Sequence, residues 1–304
     1  MYIGKQELGP VCVRAVSVKN AIWTTDASVF LERGPNRIGS VYKKALFREY
    51  TDQTYTVKKE RPDWLGFLGP VMAAEDLFTT MAPVEPSKLD DFVPPNGTHT
   101  YTWRVREVDS PLEDDPDCLT WMYHSHQDHS RDIYTGLAGP LVICKKGALT
   151  ADGHEKVDHE FVLLFSVTDE NKSFYLEDNI REFCTDPNSV DIEDEDFMES
   201  NLMHGINGYL YGNLPGLVMC EGDTVSWHLV GLGGEVDMHT VHFRGQSLAM
   251  QRHSADAISL FPASFITARM EARGPGTWMV NCEVNDHYSG IVHHVTTNML
   301  SVKC

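Results

Sequence analysis

Thr120-Trp121-Met122-Tyr123-His124-Ser125-His126 aligns, position for position, with Thr277-Trp278-Met279-Val280-Asn281-Cys282-Glu283. After these segments, Gly136-Leu137 and Gly290-Ile291 each lead into a last apolar strand, ending near Cys144 and Cys304. Before them, Ala74-Glu75 and Cys220-Glu221 each follow a Gly/Pro-rich entry and a short apolar strand. Such self-similarity at a spacing of about 150 residues marks an internal repeat. The chain of 304 residues is also about twice an ordinary domain. The division expected is 1–148 and 149–304, joined through the polar stretch Lys145–His159.

Short β-like runs such as Phe161–Val167, Thr224–Leu229 and Thr240–Phe243 alternate with turn pairs such as Asp152-Gly153 and Asn207-Gly208. No long segment keeps a helical period, so the class expected is all-β, two tandem sandwiches. The halves differ in length after the Glu75/Glu221 position. In the second, Glu221 precedes Thr224–Leu229, a glycine loop and the His239–Gly245 strand; in the first, the chain passes quickly into proline-punctuated Met81–Pro86. The first half is thus expected to be shortened by about two strands.

The net charge of −19, with acidic clusters at Glu113–Asp117 and Asp191–Asp196, disfavours nucleic acid and anionic lipid as partners. No run approaches the roughly 18 apolar residues of a membrane span. The first residues, with Lys5 and Glu7 within Tyr2–Val11, do not read as a signal peptide. Two sequons, at Asn96 and Asn171, are compatible with secretion.

His239, Cys282 and His287 form the constellation with the most specific chemistry. Two imidazoles and one thiolate in a trigonal plane, with a weak or absent axial ligand, make a type 1 copper centre. Cys282 and His287 are five apart across a turn, and His239 comes from a distant strand. Gly290-Ile291-Val292 offers only apolar side chains for the axial position. The competing reading pairs Cys282 with Cys12 or Cys184 and leaves two core histidines; spacing alone leaves both open. His124 and His126 share one face of a strand and can address one metal, or stand as exposed strand histidines. His242 reads as a bystander beside Arg244, and adjacent His293 and His294 face opposite ways. Among seven cysteines, an odd number leaves at least one thiol unpaired or metal-bound. Cys118 with Cys144 and Cys220 with Cys304 can each tie the last strands of one half, leaving Cys184 as a buried thiol.

The strings Phe30–Gly39, Trp64-Leu65-Gly66-Phe67-Leu68-Gly69-Pro70, Tyr123-His124-Ser125-His126, Gly136–Leu141, Phe165–Asn171, Asn207-Gly208-Tyr209 and Gly276-Thr277-Trp278-Met279 together resemble the first two domains of the vertebrate-type multicopper ferroxidases. That is the group of ceruloplasmin, hephaestin and zyklopen; the A domains of clotting factors V and VIII share some of the strings. The resemblance implies two tandem cupredoxin-like (plastocyanin-like) Greek-key sandwiches, taken from a ring of six. It also implies Fe(II) as electron donor, O2 as acceptor, an extracellular or cell-surface setting, and further cupredoxin domains or a homo-oligomer as partners.

Carried onto this sequence, the resemblance implies a type 1 copper at His239, Cys282 and His287, with Ile291 at or beside the axial position. It implies that His124 and His126 are two ligands of a trinuclear copper cluster, and that Asp90 and Asp91 are an acidic pair for calcium. It implies disulfides Cys118–Cys144 and Cys220–Cys304. The family's other first-domain His-x-His pair has no counterpart after Glu75, and the remaining cluster histidines belong to absent domains. The function expected is a copper-binding member of the ferroxidase group without a complete trinuclear cluster; the alternative is a non-catalytic interaction module akin to clotting-factor A domains.

Overall fold

The computed structural model describes residues 2–3, 7–9, 32–51, 56–75, 80–81, 103–105, 107–210, 212–234, 237–251, 253–284 and 297–303. Cys12, Asp90, Asp91, Asn96, His287, Ile291, His293, His294 and Cys304 lie outside them.

In the N-terminal half, β1 (Tyr2–Ile3), β2 (Glu7–Gly9), β3 (Lys44–Leu46) and β4 (Glu49–Tyr50) make two antiparallel ladders, β1 with β4 and β2 with β3. Next come β5 (Met72–Glu75), β6 (Thr80–Met81), β7 (Trp103–Arg104), β8 (Cys118–His124), helix α1 (His129–Thr135) and β9 (Ala138–Cys144). Strand β9 sits between β5, its parallel neighbour, and β8, its antiparallel one. Cys118 and Cys144, register partners on β8 and β9, form a disulfide.

The C-terminal half begins with β10 (His159–Asp169), followed by α2 (Leu176–Phe183), α3 (Glu195–Glu199), β11 (Leu202–Ile206), β12 (Val218–Cys220) and β13 (Thr224–Leu232). The remaining strands are β14 (His239–Phe243), β15 (Leu248–Met250), β16 (His253–Ala255), β17 (Ala257–Leu260), β18 (Ser264–Glu271), β19 (Gly276–Cys282) and β20 (Thr297–Lys303). One sheet runs β11-β10-β13-β18-β15-β16 and the other β12-β20-β19-β14-β17. A single buried cluster, including Phe161, Leu163, Phe165, Trp227 and Leu229 from the first sheet and Val241, Phe243, Val280 and Val302 from the second, lies between them.

The repeat read from sequence has a structural counterpart. In the second half β20 is parallel to β12 and antiparallel to β19, the same arrangement that β9 has with β5 and β8. Cys220, on β12, is disulfide-bonded to a partner outside the described residues.

Strand β10 is buried on both sides, which is why its sequence reads as a continuous apolar run instead of an alternation. Phe161, Leu163 and Phe165 point into the sandwich. Val162 and Leu164, with Val230 of β13, pack against Leu46, Leu65, Phe67 and Leu68 from the N-terminal half. Each such side chain, taken fully out of water, contributes about 1.5–3 kcal/mol.

Asn207 fastens this second contact. Fully buried at φ 53°, it accepts from Leu164 N at 2.7 Å through Oδ1, and its Nδ2 donates to Val162 O (2.8 Å) and Trp64 O (2.6 Å). Its own carbonyl accepts from Phe67 N at 3.3 Å. Gly66 passes so close that a Cβ there would lie 1.8 Å from Asn207 O, so no other residue fits. Lys44 and Glu170 add a fully buried ion pair, with Lys44 Nζ also donating to Tyr134 O at 2.7 Å. Burial still drives the Glu170 carboxyl up to about 7, against the pull of Lys44.

A third link is polar. Thr120 of β8 meets His228 Nδ1 of β13 and Thr267 Oγ1 of β18, each at 2.7 Å. On its other side His228 faces Glu160 (3.3 Å) and Glu155 (3.6 Å), and Arg269 pairs with Glu155. Burial depresses the His228 pKa, but the neighbouring carboxylates of Glu155 and Glu160 outweigh that and raise it. Burial lifts the Glu155 pKa, and His228 outweighs that and lowers it.

Two outcomes are expected. Asn207→Ala leaves Leu164 N–H and two carbonyls buried without partners and should cost about 2–4 kcal/mol in urea unfolding; a loss under about 0.5 kcal/mol contradicts the assigned role. The stability contributed by the raised His228 is full below about pH 6.5 and is lost as pH rises through its folded value, whereas that of Glu155 is lost as pH falls through its lowered one. Between pH 6.5 and 8.5, wild type should therefore lose more stability than His228→Gln; parallel pH profiles of urea midpoints refute the assignment.

Candidate metal centre

Strands β14 and β19 are neighbours, with Val241 opposite Cys282. Alternation along β14 buries His239, Val241 and Phe243 and turns Thr240 and His242 outward. His239 and Cys282 thus come together at one end of the sandwich, both buried. Thr240 N donates to Cys282 Sγ at 3.4 Å, and Val284 N–H also points at the sulfur. Burial raises the thiol pKa, while these two amides pull it down. His239 Nε2 lies 3.4 Å from Leu232 O; a carbonyl can only accept, so the proton belongs on Nε2 and the lone pair on Nδ1.

Cys282 and Cys184 are both buried thiols, which removes the reading that places Cys282 in a disulfide. A buried soft sulfur and a buried imidazole nitrogen, with amide hydrogens aimed at the sulfur, form a donor set that suits copper. The third residue of the constellation, His287, and Ile291 lie outside the described residues.

The second group differs from its sequence reading by one residue. His124 ends β8, His126 follows in the turn, and His129 opens α1; their ligand nitrogens lie within 4.8 Å of one another. Ring centroids are 5.9 Å (His124–His126), 4.9 Å (His124–His129) and 5.5 Å (His126–His129) apart. Sequence reasoning named His124 and His126 and missed His129. The available signal was Asp128, a helix N-cap that places the next residue at the first helical position, back against the strand end.

In the second half the equivalent positions carry other chemistry. Asn281 and Glu283 stand where His124 and His126 stand. Glu283 accepts from Arg244 at 2.6 Å and meets His242 Nδ1 at 2.7 Å. His242 is thus part of an ion-pair network. Glu155, Glu160 and His228 also approach one another closely enough to hold an ion, but Arg269 already supplies the positive charge there. Asn171 Nδ2, the atom a glycan would take, donates to Asp169 Oδ1 and Met198 O, both at 2.9 Å. No helix among the described residues is long and apolar enough to cross a membrane.

No protein-family model matches the chain. Mouse hephaestin is 48% identical to it over 297 residues, covering 86% of this chain and 26% of the relative. Human ferroxidase HEPHL1 is 46% identical over 294 residues, covering 86% and 25%. Mouse ceruloplasmin is 45% identical over 295 residues, covering 87% and 28%. Among solved structures, the copper nitrite reductase of Nitrosomonas europaea superposes with a TM-score of 0.54 at 14% identity, covering 90% of each chain. The multicopper oxidase mgLAC gives 0.53 at 16% identity, over 90% of this chain and 82% of that one. These structural likenesses show the fold, an all-β cupredoxin-type architecture. The sequence likenesses go further: the chain is similar over most of its length to the multicopper ferroxidases hephaestin, HEPHL1 and ceruloplasmin, and it spans about a quarter of the length of those relatives.

Proposed function

We propose that this chain is a copper-binding, one-electron unit of the ferroxidase type, organised as cupredoxin domains 1–148 and 149–304. Its thiolate centre is formed by His239, Cys282 and His287. The observation that carries this reading is the buried Cys282 thiol, with Thr240 N–H on its sulfur, on the strand beside buried His239. Copper bound there supplies one-electron exchange. The protein's own part is to hold the donors and exclude water. The ladder between β14 and β19 fixes the spacing of Cys282 and His239, and Leu232 O sets the imidazole tautomer. The amides on the sulfur would stabilise the thiolate form that holding copper requires. An apolar neighbour such as Ile291 would offer a bound copper no further donor, which would favour its reduced form.

Fe(II) as electron source and O2 as final acceptor come from the likeness to ferroxidases, as do secretion or attachment at the cell surface and a calcium site at Asp90 and Asp91. Four-electron reduction of O2 needs a metal cluster fed by several imidazoles. This chain brings His124 and His126 to that task, so we place turnover in an assembly with further cupredoxin domains and assign one-electron chemistry to the chain alone.

Copper loading tests the centre. Wild type, loaded and chemically oxidised, should show the intense visible absorption of a copper–thiolate bond, and Cys282→Ser should lose it while keeping its fold by circular dichroism. Oxidised wild type that stays colourless with one copper bound overturns the assignment.

A further inference from the structure

The seam between the two halves carries a buried group that the copper reading does not use. Glu155 comes from the linker, Glu160 from the start of β10, and His228 from β13, the parallel neighbour of β10. His228 is fully buried and Glu155 is 3% exposed. The ligand atoms of the three residues lie within 4.8 Å of one another. His228 Nε2 is 3.6 Å from Glu155 Oε2 and 3.3 Å from Glu160 Oε1. Yet neither Nε2 nor Glu155 Oε2 has a hydrogen-bond partner. Polar atoms buried in that way are costly unless something else satisfies them.

The other end of each side chain is held in place. His228 Nδ1 meets Thr120 Oγ1 at 2.7 Å. That hydroxyl has Thr267 Oγ1 (2.7 Å) and Ile266 O (3.4 Å) for its own proton, so it can accept from Nδ1 and leave the Nε2 lone pair to the group. Arg269 takes Glu155 Oε1, and Glu160 Oε2 accepts from Glu155 N at 3.4 Å. Side chains fixed from behind, each with one atom turned to a common point, match the way outer partners orient metal ligands.

Charge also leaves room for an ion. Arg269 answers only one of the two carboxylates, and Asp117 Oδ2, 3.8 Å from the same guanidinium, draws on its charge too. Three carboxylates thus stand against one arginine. The lowered Glu155 pKa keeps that carboxyl ionised at neutral pH, the form that binds metal. In the metal-free chain a proton on Nε2 faces the carboxylates, and a metal ion would take its place.

We propose that His228 Nε2, Glu155 and Glu160 form a structural site for a divalent first-row metal ion, Zn(II) foremost, at the seam between the halves. The spacing selects the metal. Tetrahedral bonds of about 2.0–2.1 Å put neighbouring donors about 3.4 Å apart. The square-planar arrangement that Cu(II) prefers would bring them to about 2.8 Å. Separations of 3.3 and 3.6 Å are of the tetrahedral kind. The fourth position falls to water or to Ser226 Oγ, on the same face of β13 as His228. The ion would tie the linker to both central strands, and Thr120 would join β8 to it through the imidazole. This site shares no residue with the thiolate centre or with the histidines at the end of β8.

The test uses the full chain carrying Cys282→Ser, His124→Ala and His126→Ala, so that zinc is not drawn to the thiolate centre or the end of β8. This parent is stripped of metal and titrated with Zn(II) alone at neutral pH. The expected result is one zinc per chain, with X-ray absorption showing only nitrogen and oxygen ligands and the scattering of a single imidazole. Zinc should also raise the urea midpoint of the parent. Adding Glu160→Gln, at the more exposed edge of the group, should weaken binding at least tenfold while keeping the metal-free circular dichroism spectrum. His228→Gln, which can still bond Thr120, should do the same, and the zinc-dependent gain in urea midpoint should vanish in both. Unchanged zinc affinity in either variant overturns the proposal, as does a parent that takes up no zinc or holds it through two or more imidazoles.

Discussion

The constraint on which the molecule depends is the burial of β10 and β13 on both faces. A strand that faces water on one side can alternate polar and apolar residues; these two cannot. Each must satisfy a sandwich core on one side and the N-terminal half on the other, and every polar group placed there needs a partner. The structure meets that demand in three ways. Asn207 fills the backbone needs of the Leu164 region, Lys44 and Glu170 neutralise each other, and His228 is held between Thr120 and two carboxylates. Because β13 also delivers Leu232 O to His239, the contact between the halves bears on the candidate copper ligand.

One strand arrangement occurs twice, yet the two copies put different chemistry at equivalent positions. In the first copy, the end of β8 continues into a helix that adds an imidazole to two already there. In the second, Asn281, Cys282 and Glu283 divide the tasks: Cys282 is buried as a thiol, while buried Asn281 and exposed Glu283 hydrogen-bond with Arg244 and His242.

The repeat and the all-β class were legible because they rest on local signals, matched strings and turn pairs; placement only allowed the first disulfide, and the resemblance implied it. The approach of His239 to Cys282 was legible only through the resemblance, since spacing left a disulfide equally open; the buried thiol removes that disulfide. His129 was not legible from period or pattern, because its proximity to His124 depends on the chain doubling back at an N-cap. The His228 cluster was equally hidden. Its members come from the linker, β10, β13 and β18, and no sequence window contains them. His242 looked idle in sequence because its partner Glu283 is far along the chain.

The fit of Gly66 against Asn207 O has a consequence for how such halves can be exchanged. The residue on one side has no room for a side chain, and the residue on the other uses both ends of its amide. Neither can drift alone. A chimera that joins the first half of one such protein to the second half of another inherits a working seam only if the Trp64–Phe67 loop and the Asn207 turn are matched.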